Sequence, residues 1–178
     1  MQRGRLEVIT GGMFSGKSEE LVRRLRRAQI ARKRVKAFKH ASDDRYDTVK
    51  IGCHSGLKFD AIPVASLNEI RDLARGAEVI GFDEIQFFHP GIVDVCEELA
   101  NLGVRVIVAG LDLDSKGVPF GPIPHLMAIA ETVTKLHAVC MVCGEPACRS
   151  QHKAGKSEQV EVGAAAYEAR CRGCWTPA

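Results

Sequence analysis

Three groups of residues in this chain have types and spacings that can do chemistry. The first is "GGMFSGKS" (11–18), a complete G-x-x-x-x-G-K-[ST] loop. Its glycines Gly11, Gly12 and Gly16 let the backbone curl, so that N–H groups along Gly11, Gly12, Met13, Phe14, Ser15 and Gly16 turn inward towards phosphate oxygens. Lys17 would set a positive charge at the β- and γ-phosphates, and the Ser18 hydroxyl would coordinate Mg²⁺. The second group is Asp83 and Glu84 in "FDEIQFF" (82–88), two acids side by side at the end of an apolar run. The third is a double pair of cysteines, "CMVC" (Cys140, Cys143) and "CRGC" (Cys171, Cys174), separated by residues 144–170. Each C-x₂-C turn presents two thiolates, and together they fill the four tetrahedral positions of Zn²⁺. Four sulfur ligands leave no place for water, so the expected role is structural. A redox dithiol is the rival reading, and Cys148 or His152 is an alternative ligand.

The elements around these groups decide how they can meet. "RLEVIT" (5–10) is a β-rich run immediately before the phosphate loop. Leu21, Val22, Leu25 and Ala28 then recur at helical spacing, which predicts a helix over 18–34. Strand, loop and helix in that order are the context a phosphate loop requires, and they predict a bound nucleoside triphosphate. Further strands are expected at "RVKAFKH" (34–40), "AEVIGF" (77–82), "VRVIVAG" (104–110) and "TVTKLHAV" (132–139). Between them lie helices over "SLNEIRDLARG" (66–76), over 90–102 and after the Pro/Gly-rich stretch 116–124. Ser66 with Glu69 reads as a capping box and Gly76 as a stop. Residues 41–60 have weak periodicity and suit a hairpin or loop. The alternation predicts an α/β fold of the P-loop NTPase kind, a mainly parallel sheet flanked by helices. It forms a domain over 1–139, followed by a small zinc-binding unit over 140–178 that is too poor in apolar residues for a core of its own.

In such a sheet the carboxyl ends of the strands gather at one crevice. Asp83 would then face Lys17 and Ser18 and serve Mg²⁺, leaving Glu84 to accept a proton from a nucleophile. The competing reading of the two acids is a strand leaving the core through a polar turn.

Composition narrows the classes further. The net charge of +3 is too small to imply a nucleic-acid partner on its own. A basic run, "RRLRRAQIARKR" (23–34), keeps open a second reading, a P-loop ATPase acting on nucleic acid through a zinc ribbon. Seven cysteines, an odd number, argue against a disulfide framework. No apolar run has the length of a membrane span, and "MQRGRLEVIT" lacks the apolar stretch of a signal peptide, so the expected location is cytoplasmic with no membrane partner.

Taken together with "DDRY" (43–46), "GLDLD" (110–114), "PFG" (119–121) and "YEARCRGC" (167–174), these motifs resemble, in order and from residue 5 to 175, the thymidine kinases of the cellular and bacterial, zinc-containing type. The resemblance implies transfer of the γ-phosphoryl group of ATP to the 5′-hydroxyl of thymidine, giving dTMP, with Mg²⁺ as cofactor and Zn²⁺ structural. It makes Glu84 the general base and Asp83 the partner of the metal, and it brings Arg45 towards the phosphates. It surrounds thymine with Met13, Phe87, Leu111 and Phe120, and puts Ser150 near the base methyl. A lasso between the cysteine pairs, with Val160, Val162, Gly163 and Ala164, would bond the base edge through its backbone while Tyr167 closes over the substrate. The family also implies a homotetramer inhibited by dTTP in the nucleoside site, with no nucleic-acid partner. Three positions depart from the family pattern: Ser115 where Phe is common, a short lasso with Gly163-Ala164, and His152 where arginine is frequent. Ser115 and the short lasso support a third reading, an ATP-binding homologue with reduced nucleoside kinase activity.

Overall fold

A computed structural model describes residues 4–41, 50–52, 58–153 and 164–177. Strand β1 (Arg5–Gly11) runs into the phosphate loop, which opens helix α1 (Lys17–Ile30). The chain continues through β2 (Val35–His40), the short β3 (Lys50–Gly52), β4 (Lys58–Asp60) and β5 (Ile62–Val64), and helix α2 (Leu67–Leu73). Strand β6 (Val79–Asp83) is followed by a 3₁₀ turn (Ile85–Phe87), α3 (Ile92–Asn101), β7 (Arg105–Gly110), α4 (Ile123–Ile129) and β8 (Thr132–Leu136). The last part holds β9 (Ala138–Val139), β10 (Pro146–Ala147), β11 (Arg149–His152), a second 3₁₀ turn (Ala164–Ala166) and β12 (Tyr167–Arg170).

Six strands form one parallel sheet in the order β5-β2-β6-β7-β1-β8. Both faces of the central strands β6 and β7 are covered, which is why they read as apolar runs rather than alternating ones. On β7, Val106 and Val108 face the side packed by Ile70 of α2, Ile92 and Val95 of α3, and Ile123 and Leu126 of α4. Ile107 and Ala109 face the other side, packed by Leu21, Val22 and Leu25 of α1 and by Ile51 and Phe59 of the β3–β4 hairpin. The hairpin agrees with one of the two expectations for residues 41–60; the connecting residues lie outside those described.

Two element boundaries differ from expectation. Helix α1 ends at Ile30, not at residue 34, because Arg32 adopts a left-handed conformation (φ 57°). The Lys33 N–H bonds the Ala28 carbonyl and the Arg32 N–H that of Gln29, a Schellman ending formed without the glycine that usually marks it. The run 132–139 is two strands, since the chain leaves the main sheet after Leu136 and Ala138–Val139 pairs with Pro146–Ala147 instead. The Ser66–Glu69 cap forms as expected, with Glu69 N–H donating to Ser66 Oγ at 3.2 Å, and Gly76 follows α2 at φ 76°.

Candidate functional site

The phosphate loop leaves β1 between β7 and β8 and curls back into α1. Gly16 stands at the helix N-cap with φ 83°, a conformation that favours glycine, and no side chain caps the helix among the described residues. The first-turn N–H groups of α1 and the positive end of its dipole therefore point at the loop's concave side, the arrangement that binds phosphate. Lys17 is buried and its Nζ donates to the Gly12 carbonyl at 2.7 Å, while Ser15 Oγ donates to the same oxygen at 2.8 Å. Phe14, at φ 65°, is exposed on the loop's outer side.

Asp83 closes β6 two strands away, and the predicted meeting occurs: Ser18 Oγ donates to Asp83 Oδ1 at 3.0 Å. A hydroxyl oxygen beside a carboxylate is an all-oxygen pair of the kind Mg²⁺ accepts, so the residues present fit that ion. Glu84 does not continue the strand. Its backbone is left-handed (φ 51°, ψ 43°), which turns the chain at once into the 3₁₀ turn. Side chains rarely accept this conformation, and when they do it often marks a functional position. The Glu84 carboxylate receives a hydrogen bond from Gln86 Nε2, and the other end of that amide, Oε1, accepts from Leu111 N–H at 3.0 Å. Gln86 is a functional candidate that the sequence did not reveal; its only signal was a polar residue set among apolar ones just after a strand.

The candidate base walls come together in part. Phe87 and Phe120 meet edge to face with centroids 5.8 Å apart. Leu111 adjoins them through its bond to Gln86, and Phe120 N–H donates to the Asp112 carbonyl at 3.0 Å. Met13 N–H donates to the buried Ser150 Oγ at 3.1 Å, so Ser150 ties β11 to the phosphate loop. Phe88, which follows this group, belongs to the core and meets Phe82 and His40 edge to face. Tyr167 is buried against His152, ring to ring at 5.0 Å, and Ala164 opens the 3₁₀ turn before it. Arg45, Cys53, Val160, Val162 and Gly163 lie outside the described residues. A buried carboxylate that the sequence reading passed over, Asp112, pairs with Lys135 at 2.6 Å across the end of β1.

The four paired cysteines form one cluster, with the sulfurs of Cys140, Cys143, Cys171 and Cys174 all within 4.8 Å of one another. Thiolates around a tetrahedral zinc stand about 3.8 Å apart, so this set fits the ion. The backbone N–H of Cys171, with those of Cys143 and Val142, holds the Cys140 thiol down to about 6. The sulfurs of Cys171 and Cys143 push the Cys174 thiol up to about 12. Four crowded sulfurs cannot all be thiolates unless a cation joins them, which is what a metal supplies. Cys148 and His152 are not members of the cluster. No described helix is long and apolar enough to cross a membrane.

The thymidine kinase family model matches residues 4–175. A thymidine kinase of Rhodothermus sp. is 54% identical over 98% of this chain and 82% of its own length. Thymidine kinases of Bacteroides fragilis and Bdellovibrio bacteriovorus are each 50% identical over 98% of this chain, and over 88% and 87% of their own. Among solved structures, a DNA replication initiation factor covers 75% of this chain and 40% of its own at 13% identity and a TM-score of 0.48.

Proposed function

This chain belongs to the thymidine kinase family, and from that premise we propose that it transfers the γ-phosphoryl group of ATP to the 5′-hydroxyl of thymidine. The observation that carries the assignment of roles is the 3.0 Å hydrogen bond from Ser18 to Asp83, with Glu84 next in the chain. It joins the phosphate loop to a pair of acids whose second member turns away from the first.

Phosphoryl transfer depends on positioning and charge neutralisation more than on covalent chemistry. The loop amides from Gly11 to Ser18 and the Lys17 ammonium cradle the triphosphate. Ser18 and Asp83 would hold Mg²⁺, which neutralises charge on the phosphates. Glu84 takes the proton of the 5′-hydroxyl as that oxygen attacks the γ-phosphorus, and ADP leaves. Thymine lies among Met13, Phe87, Leu111 and Phe120, with Ser150 near the methyl. Val160, Val162, Gly163 and Ala164 read the base edge through their backbone, Tyr167 closes over the substrate, and Arg45 approaches the phosphates. Residues 1–139 bind nucleotide, and residues 140–178, stapled by Zn²⁺ on the four cysteines, form the lasso unit. A cytoplasmic homotetramer inhibited by dTTP completes the reading.

The test is ATP consumption with thymidine, with DNA or RNA, and with neither. Thymidine-dependent formation of dTMP is expected; nucleic-acid-stimulated hydrolysis without nucleoside phosphorylation overturns the assignment. Metal analysis should give about one zinc per chain, and unchanged zinc content in a Cys140→Ser variant would remove that residue from the ligand set.

A further inference from the structure

Gln86 is almost fully buried, 3% exposed, and its amide spans two parts of the site that are otherwise separate in sequence. Oε1 accepts from Leu111 N–H at 3.0 Å, and Nε2 donates to Glu84 Oε2. Chemistry fixes which way the amide faces. A backbone N–H can only donate, so the oxygen must face Leu111, and the NH₂ is left to face the carboxylate.

The surroundings are cut to fit this residue closely, at its side chain and at its backbone. A Cβ added to Gly110 would lie 2.7 Å from Gln86 Oε1. One added to Gly121, where φ is 53°, would lie 2.4 Å from the Gln86 carbonyl oxygen. The two segments that bear these glycines are the ones that carry Leu111 and Phe120, and Phe120 meets Phe87, the residue after Gln86. A single buried amide thus connects an acid on a left-handed turn after β6 to the loop that follows β7.

We propose that Gln86 is a positioning residue for phosphoryl transfer, orienting the Glu84 carboxylate and keying it to the Leu111–Phe120 wall so that acid and nucleoside pocket hold one register. This rests on the reading of Glu84 as general base. A carboxylate on a turn has freedom about several bonds, and a donor fixed at its other end removes that freedom before the nucleoside arrives.

The experiment is a double-mutant cycle on the single-turnover rate of phosphoryl transfer, with wild type, Gln86→Leu, Glu84→Gln and the double variant. Gln86→Leu should lower that rate roughly tenfold to hundredfold, the usual loss when the partner of a functional side chain is removed. The KM for ATP should stay within about twofold, because the phosphate loop is untouched. In the Glu84→Gln background the same substitution should have little further effect. An equal loss in both backgrounds means that Gln86 acts through packing alone and overturns the proposal. Near-normal turnover in Glu84→Gln overturns the base assignment and the coupling with it, whereas an inactive Glu84→Gln beside a fully active Gln86→Leu overturns the coupling only. Should Gln86→Leu fail to fold, Gln86→Glu replaces it: the Leu111 acceptor is kept, the donor to Glu84 is lost, and an unchanged rate overturns the proposal.

Discussion

Glu7 and Asp83 are both buried carboxylates on strands of one sheet, and they are held in different ways. Glu7, on β1, is gripped by three guanidinium groups: Arg105 at 2.6 Å, Arg5 at 2.7 Å and Arg24 at 2.9 Å. Burial works to raise its carboxyl, but the hydrogen bonds from Arg105, Arg5 and Arg24 outweigh it and hold the group at about 2. Asp83 receives the hydroxyl of Ser18, an oxygen that keeps lone pairs available for a metal while it donates. Cations saturate the first carboxylate and fix β1, β7 and α1 to one another. The second stands beside a phosphate loop and a left-handed glutamate, where charge can be lent to a ligand. Burial alone does not separate an acid that builds the fold from a candidate for chemistry; the hydroxyl of the phosphate loop beside Asp83 is what marks it as the second kind.

This contrast breaks most sharply at Glu84, the acid just after β6. Glu84→Gln should lower the rate of phosphoryl transfer by roughly 10²- to 10⁴-fold, the usual contribution of a general base, with ATP affinity and thermal midpoint unchanged. Rapid-quench kinetics and nucleotide titration check this, and a loss of stability in place of activity would erase the distinction. Glu7→Gln should do the reverse. Arg5 and Arg105 lose their counter-charge and Arg24 keeps only Glu20, at a cost of roughly 3 kcal/mol, the low end for a broken buried pair because Arg5 and Arg105 reach water. Denaturant unfolding reads that loss, while turnover per folded molecule should stay at the wild-type value.

Acid sharpens the same difference. The folded carboxyl of Glu7 sits at about 2 against an ordinary 4.5, so its stabilisation is complete above the higher value and fades as pH falls through the lower. The stability gap between wild type and Glu7→Gln should therefore narrow steadily from pH 5 towards pH 2, as followed by urea midpoints. The smallest effect belongs to the exposed pair Arg75–Asp72, 3.1 Å apart on the surface. Arg75→Ala should change stability by no more than about 0.5 kcal/mol, since water and salt screen such pairs.

What the sequence disclosed follows the range of each interaction. "GGMFSGKS" is local, and the parallel-sheet rule alone carries Asp83 to Ser18, so that half of the site was legible. The orientation of Glu84 was not, because it depends on a left-handed turn and on an amide that reaches the backbone of Leu111. Neither was the cage around Glu7, whose arginines come from β1, α1 and β7. The end of α1 was hidden for a different reason: Arg32 takes the place where a glycine would have announced it. The break after Leu136 was hidden because "TVTKLHAV" runs apolar past the point at which the chain changes sheets.

The position of β1 in the sheet has a consequence for how this chain is made. It leaves the ribosome before either of its two neighbours, β7, paired Arg5↔Arg105, and β8, paired Glu7↔Thr132. A nascent chain can build β2 beside β6 as soon as both have emerged, but β1 then has no place to lie. Its edges stay unpaired until β7 and β8 have emerged, the long-range pairing that slows folding and exposes intermediates to aggregation. The phosphate loop hangs from the end of that waiting strand. It is synthesised well before the strands that fix it and must wait for them before taking its working shape.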